Sequence, residues 1–178
     1  MLKRKQIVEV AKDVLKQIKA KKVILRKSGY LAAAAGTDLT EIKDLQELAT
    51  SRAACHVCAR GALIMSKARL YNHCKIEPSS YELVDNCTLD DAAETFSKKD
   101  FPKDIWARAE LAFEGWKAGS FYTADMDASV STSEKEQEAC YKFYLRYPGQ
   151  SEPKRRVRLA AICRNIIRNE GVFRPKGL

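Results

Sequence analysis

The chain has 178 residues, of which 31% are charged and 46% hydrophobic, and its formal net charge is +9. This composition is typical of one folded globular domain over residues 1–178 and excludes a disordered chain. No apolar run approaches the roughly 20 residues that a membrane-spanning helix needs, and the basic N-terminus lacks the apolar core of a signal peptide. We therefore expect a cytoplasmic protein with no membrane contact and with reduced thiols.

Charge divides the chain into three parts. Residues 1–76 hold 16 basic and 6 acidic residues, residues 77–138 hold 6 and 15, and residues 139–178 hold 10 and 2. If the two basic ends meet in the fold, they form a positive surface suited to an anionic partner. Alternatively, the acidic middle lies against the basic ends and neutralises them, and the sequence leaves both arrangements open.

Helical periodicity dominates, and it begins at the N-terminus. Apolar residues recur on one face of a helix over about residues 3–20, and the opposite side carries Lys5, Lys12, Lys16 and Lys19. Glu9 and Asp13 stand three residues before Lys12 and Lys16, which predicts ordinary charge pairs along this helix. The stretch VILRKSGYL then predicts a short extended piece with a turn.

The later segments continue the helical pattern. Capping signals, prolines and glycines punctuate it. Helices are predicted over about residues 38–49, 52–71, 89–96, 103–116, 133–147 and 152–169, and an irregular surface loop is predicted over about 118–132. The sequence therefore predicts an all-α fold, a compact bundle of five to seven helices with at most one minor β element.

The stretch RAACHVCARGALIMSKARLYNHC, residues 52–74, is the most distinctive of the chain. On a helical wheel, a broad face of small residues is typical of a central core helix. A narrow basic stripe remains, formed by Arg52, His56, Arg60 and Lys67. Like charges in a row repel each other, so the stripe predicts a bound anion, internal salt bridges to the acidic segment, or plain solvation.

Cysteines in this stretch raise the question of zinc. Cys55-x2-Cys58 could supply two ligands, and His73 or Cys74 with Cys87 could complete a tetrahedral set. However, the pair lies in a helical pattern instead of on a glycine-containing turn, and it is the only pair of its kind. The interpretation that we favour is that Cys55 and Cys58 are small buried hydrophobes.

The last predicted helix has a second basic side. It carries Arg158, Arg164, Asn165, Arg168 and Asn169. Arginine forms paired hydrogen bonds with phosphate, and asparagine can read donor–acceptor pairs on bases. A solvated basic surface is the alternative, and no helix-turn-helix pattern precedes this helix.

The sequence contains no motif that is diagnostic of a particular enzymatic reaction. It has no P-loop, no GxGxxG, no HExxH and no nucleophile elbow. Glu110 and Glu114 stand at i and i+4 as paired carboxylates, but without a histidine beside them they favour a surface or salt-bridge role. We therefore expect a protein that is not an enzyme, with no cofactor.

Three blocks, CHVCARGALIMSKARLYN, AELAFEG and RLAAICRNIIRNEGVFRP, resemble in matching order a group of small, helical, largely uncharacterised proteins of bacteriophages and prophages. The resemblance covers about a third of the chain. It implies a phage accessory protein in the bacterial cytoplasm, and by analogy one that antagonises host defence. It carries no catalytic residues over to this chain.

These observations give one leading hypothesis and two alternatives. The leading one is a non-enzymatic binding protein whose basic surface holds a nucleotide signal or nucleic acid. The second is an interaction module that docks on and inhibits an acidic host protein, with Phe121, Tyr122 and Met126 as apolar anchors. The third is a zinc-stabilised structural protein, and a homo-oligomer stays open in all three.

Overall fold

The computed structural model describes residues 1–25, 31–33, 55–71, 101–117 and 132–177. Five helices and one small sheet lie in these ranges, so the predicted all-α bundle with a minor β element is confirmed. The helices are α1 (Arg4–Lys19), α2 (Ala59–Tyr71), α3 (Lys103–Glu114), α4 (Glu134–Arg146) and α5 (Glu152–Arg168). The helices predicted near 38–49 and 89–96 and nearly all of the loop at 118–132 lie outside the described residues.

The sheet is built from three strands of three residues each. These are β1 (Val23–Leu25), β2 (Leu31–Ala33) and β3 (Cys55–Val57), in the order β1-β3-β2. The middle strand β3 runs parallel to β1 and antiparallel to β2, so that His56 stands opposite both Ile24 and Ala32. The predicted extended piece after α1 is therefore β1 and β2, with a partner strand that the prediction lacked.

The predicted helix over 52–71 is wrong in its first part. Residues 55–57 form β3, and the helix begins only at Ala59. Cys58 lies at the junction, where its carbonyl accepts the Ala62 N–H at 3.0 Å and its Sγ accepts the Gly61 N–H at 3.5 Å. A short apolar run fits either a helix or a strand, and here pairing with two distant strands decides for the strand.

Helices α1 and α5 pack side by side in opposite directions. Near the start of α5, the Arg156 Nη1 donates to the Ile18 carbonyl at the end of α1, at 2.9 Å. At the other end, the Arg4 Nη1 donates to the Gly171 carbonyl just beyond α5, at 2.8 Å. The buried stripes of both helices, including Val14 and Ile162, enter one core. The basic N-terminal and C-terminal segments are therefore neighbours.

Helices α3 and α4 complete the packing in the described part of the chain. Pro102 stands at the N-cap of α3, one position before the first turn, and α3 ends at Gly115 in a left-handed conformation with φ 76°. A capping box, in which Ser133 and Glu136 exchange hydrogen bonds, begins α4. None of the described helices is long and apolar enough to cross a membrane.

Candidate anion-binding surface

The sequence-predicted binding residues separate into a buried set and an exposed set. Arg60, Lys67 and Arg158 are at most 5% exposed. Arg164 and Arg168 are exposed, and His56, Asn165 and Asn169 are half-buried. Arg52 lies outside the described residues. The stripe that a continuous helix would have placed on one side therefore does not form, because His56 is on β3 and its predicted neighbours Arg60 and Lys67 are in the core.

Arg158 is the most deeply buried charge, with 0% exposure. Its Nη1 donates to the carbonyls of Tyr147 and Gly149 at 2.8 and 2.9 Å, where α4 turns into α5. Its guanidinium lies 4.5 Å from the ring centre of Tyr144 and 5.3 Å from that of Phe113. Burial lowers the pKa of Arg158. These contacts give Arg158 the role of joining α3, α4 and α5.

Arg60 and Glu110 hold the first turn of α2 against α3. The Arg60 Nε donates to the Trp106 carbonyl at 3.2 Å, and its guanidinium stacks 4.8 Å from the Trp106 ring centre. The Arg60 backbone N–H donates to the Glu110 carboxylate at 3.4 Å. Burial raises the pKa of Glu110, and the charge of Arg60 opposes that shift. The i, i+4 carboxylates Glu110 and Glu114 are both buried, so they face the core and not a surface site.

The asparagines of α5 bind the protein's own backbone. The Asn165 amide donates to the Arg174 carbonyl at 2.7 Å, and its Oδ1 accepts the Arg174 N–H at 2.8 Å. The Asn169 amide donates to the Asn165 carbonyl and to its Oδ1, at 2.8 and 3.1 Å. Asn165 and Asn169 therefore fix the chain that follows α5, and they do not present free amides to a ligand.

The exposed side of α1 carries the row that we call the lysine row, formed by Lys5, Lys12, Lys16 and Lys19. The predicted pairs with Glu9 and Asp13 are replaced by contacts to α2, because Asp13 forms an ion pair with Arg69 and Glu9 accepts a hydrogen bond from the Tyr71 hydroxyl. In the described part of the chain, no carboxylate lies within ion-pair distance of the lysine row. Its charge is therefore available to an external anion.

Exposed arginines are also present on α5, the helix that packs against α1. Arg164 and Arg168 lie on the solvent side of α5, and none of the described acidic residues pairs with either. We call the lysine row together with Arg164 and Arg168 the basic face. The acidic middle of the chain reaches this region at Asp104, which lies 3.4 Å from Arg4.

A cleft lies at one end of the basic face, where α1 begins and the chain leaves α5. Its volume is about 360 Å³, and its lining residues are Arg4, Arg168, Asn169, Glu170, Val172 and Arg174. We call it the three-arginine cleft. Sequence reasoning named Arg168 and Asn169 but missed Arg4 and Arg174, because a local pattern does not show that the two chain ends meet.

The cysteines in the described ranges are buried and reduced, namely Cys55, Cys58, Cys140 and Cys163. Burial raises the pKa of Cys55 to about 11 and that of Cys140 to about 12. Within the described ranges, no three histidine, cysteine or acidic side chains are placed to hold a metal ion. The other proposed ligands, His73, Cys74 and Cys87, lie outside those ranges, so the zinc-stabilised alternative stays a hypothesis.

Comparisons with protein-family models, with curated proteins and with solved structures found no match to this chain.

Proposed function

We propose that this protein is a non-enzymatic nucleic-acid-binding protein that holds the phosphate backbone of a duplex on its basic face. The observation that carries this proposal is the antiparallel packing of α1 on α5, which joins the two basic ends of the chain. Basic side chains of both segments are exposed to solvent. The acidic residues of α1, Glu9 and Asp13, contact Tyr71 and Arg69 of α2 instead. Such a surface attracts polyanions over distances of about 10 Å.

The side chains of the basic face suit phosphates better than bases. Neither α1 nor α5 contains an aromatic residue on which a base could stack. The amides of Asn165 and Asn169 are bonded to backbone and leave no pair of groups for reading a base edge. A helix of 16 residues is about 24 Å long, the length of about seven base pairs of duplex. We therefore expect binding that does not depend on sequence.

The biological setting of the proposal comes from the three sequence blocks. Their likeness to phage and prophage proteins supports an accessory protein that acts in the cytoplasm of a bacterial host. A protein that covers duplex backbone without reading sequence would mask nucleic acid from host defence enzymes. This part of the proposal rests on the resemblance and on analogy between accessory proteins.

The test is duplex binding by charge-reversed variants. Fluorescence anisotropy would measure the affinity for a labelled DNA duplex of about 20 base pairs at low salt. Lys12→Glu with Lys16→Glu should weaken binding at least tenfold, because each reversal replaces an attraction by a repulsion. Lys135→Glu with Lys142→Glu is the matched control, because it reverses two exposed lysines of α4, which is outside the basic face, and changes the net charge by the same amount. Equal loss in both variants would show that only net charge matters.

An acidic host protein is the other partner that the basic face could take. If the wild-type protein binds no duplex and retains one stoichiometric acidic protein in a pull-down, the nucleic-acid proposal is wrong. The charge-reversed pair at Lys12 and Lys16 should then release that partner. The apolar anchors considered for such docking, Phe121, Tyr122 and Met126, lie outside the residues that the structure describes.

A further inference from the structure

The three-arginine cleft differs from the rest of the basic face in shape and in rigidity. The lysine row is a single line along one helix, whereas the cleft brings together arginines from two helices and from the segment beyond α5. Arg4 belongs to the first turn of α1, Arg168 to the last turn of α5, and Arg174 to the segment beyond α5. Convergence of cations from distant segments is typical of a site for one compact anion, whereas a line suits a polymer.

The backbone that carries Arg174 is fixed before any ligand arrives. Asn165 holds the Arg174 N–H and carbonyl with two hydrogen bonds of 2.8 and 2.7 Å. The preceding residue, Phe173, is buried in the core, and its carbonyl accepts a hydrogen bond from Arg108 at 3.4 Å. Only the Arg174 side chain then loses freedom when it binds. This preorganisation lowers the entropic cost of gripping an anion.

Arg4 is held by the segment that follows α5. Its Nη1 donates to the Gly171 carbonyl at 2.8 Å and approaches Asp104 at 3.4 Å, while its side chain is 51% exposed. Arg168 and Arg174 have no carboxylate partner within the described residues, and Glu170 is the acidic residue of the lining. Three arginines against Glu170 and the Asp104 that pairs with Arg4 leave one net positive charge. A phosphate monoester has three terminal oxygens that accept hydrogen bonds, one more than an internal diester, so it can be held by arginines from several sides.

We propose that the three-arginine cleft binds a nucleotide through a phosphate monoester, and that Asn165 is a positioning residue for Arg174. This inference rests on the proposed function, because the cleft lies at the end of the basic face where a duplex held there would present its terminus. The volume of about 360 Å³ is within the range of small-ligand sites and exceeds what a lone phosphate fills. Two sources share this chemistry, a phosphorylated strand end and a free mononucleotide.

The test compares one duplex in two forms, with 5′-phosphate and with 5′-hydroxyl ends, by fluorescence anisotropy. Wild-type protein should bind the phosphorylated duplex about tenfold more tightly, the effect of one well-formed charge-assisted contact. Arg174→Gln should remove this preference and leave the affinity for the hydroxyl duplex nearly unchanged. Lys176→Gln is the matched control, because Lys176 is exposed two residues further along and does not line the cleft.

Asn165→Ala tests the positioning role separately. It should reduce the preference for the 5′-phosphate in a folded protein that still contains Arg174, and a circular dichroism melt would check the fold.

Adenosine monophosphate as competitor distinguishes a phosphorylated strand end from a free mononucleotide as the ligand of the cleft. Selective displacement of the phosphorylated duplex assigns the cleft to free nucleotides as well, and absence of displacement assigns it to strand ends.

Two failures can be told apart. If wild-type protein binds both duplexes equally well, or if Arg174→Gln keeps the preference, the cleft inference is wrong and the basic face stands. If wild-type protein binds neither duplex, the proposed function itself is wrong.

Discussion

Arg158 shows how a residue with the chemistry of a ligand contact instead stabilises the fold. Ile162 and Ile166 follow it at i+4 and i+8, so the three residues lie on the same side of α5, and all three are buried. This spacing was a signal in the sequence that Arg158 faces the core. The two carbonyls that it satisfies, at Tyr147 and Gly149, belong to the turn that reverses the chain between α4 and α5.

Replacing Arg158 should therefore destabilise the protein without a direct effect on the basic face. Arg158→Met keeps much of the volume but leaves two carbonyls without their donor and removes the guanidinium from the Tyr144 and Phe113 rings. We expect a loss of about 3 kcal/mol in the free energy of unfolding, measured by urea denaturation. Arg158→Lys should lose less, since an ammonium keeps the charge but not the planar fork. A loss under about 1 kcal/mol for Arg158→Met would contradict the structural role.

Glu110 predicts a pH dependence of stability. Burial raises its pKa in the folded state above the ordinary value of 4.5, so the folded protein binds this proton more tightly than the unfolded chain does. The contribution of Glu110 to the free energy of unfolding is therefore fully present below pH 4.5. It declines as the pH rises through the pKa that Glu110 has in the folded protein. Glu110→Gln keeps an acceptor for the Arg60 N–H but does not titrate.

The measurement is urea denaturation of both proteins at several values between pH 4.5 and about 7.5. The stability of wild type relative to Glu110→Gln should fall as the pH rises. Glu138→Gln is the control, because Glu138 is an exposed carboxyl on α4 and should leave the wild-type profile in place. Parallel profiles for wild type and Glu110→Gln would refute the prediction.

At the scale of elements, the contact between the start of α1 and the exit from α5 depends on Gly171. Its φ of 88° is in the left-handed region, and a Cβ at this position would lie 2.5 Å from the Arg4 carbonyl oxygen. Because that neighbour is backbone, the contact cannot be relieved by a side-chain rotation. The same approach brings both Arg4 and Arg174 into the lining of the three-arginine cleft.

Gly171→Ala should cost about 2 kcal/mol in the free energy of unfolding, from backbone strain together with the clash. Gly177→Ala is a matched control: Gly177 also has a positive φ, 109°, but the nearest atom to its Cβ would be the Ala139 Cβ at 4.0 Å. The thermal melting temperature should fall more for Gly171→Ala than for Gly177→Ala. Equal shifts would mean that strain alone acts and that the close approach to α1 is unimportant.

The elements that the sequence predicted best are amphipathic and terminated by local signals. The predictions of 3–20 and 152–169 match α1 and α5 to within a residue at each end, because a buried stripe and a polar side alternate along both. The junction of β3 and α2 could not be located in this way. All positions from Ala59 to Ala68 are buried, so α2 has no polar side that sets it apart, and β3 exists only through pairing with β1 and β2.

The candidate site shows the same limit. Exposure of Arg164 and Arg168 follows from the periodicity of α5, and it was predicted. Burial of Arg60 and Lys67 does not follow from the helical wheel, because α2 is buried on all sides from Ala59 to Ala68. Arg4 and Arg174 line the three-arginine cleft only because the two ends of the chain meet, and no local sequence pattern indicates that contact.

On the scale of the whole molecule, acidic and basic side chains of the described residues have different surroundings. Asp13 forms an ion pair with Arg69, and Glu9 accepts a hydrogen bond from Tyr71, both on α2. The lysines of α1 are exposed to solvent. Further along, Arg108 pairs with Glu136, so these acidic-segment residues are joined to each other and not to the basic face. Within the described residues, the acidic side chains of α1 therefore contact α2, and its lysines are exposed to solvent.

This arrangement predicts how duplex binding responds to salt. Each phosphate contact releases a condensed counterion, so a plot of log affinity against log salt concentration should be a line with a negative slope of about 0.9 per contact. Lys12→Gln or Lys16→Gln should each reduce the magnitude of that slope by about 1 and weaken binding to unrelated sequences equally. Lys142→Gln on α4 should leave the slope unchanged. A wild-type affinity that does not vary with salt would remove the basic face as a phosphate-binding surface, since apolar or neutral hydrogen-bonded contacts release no counterions.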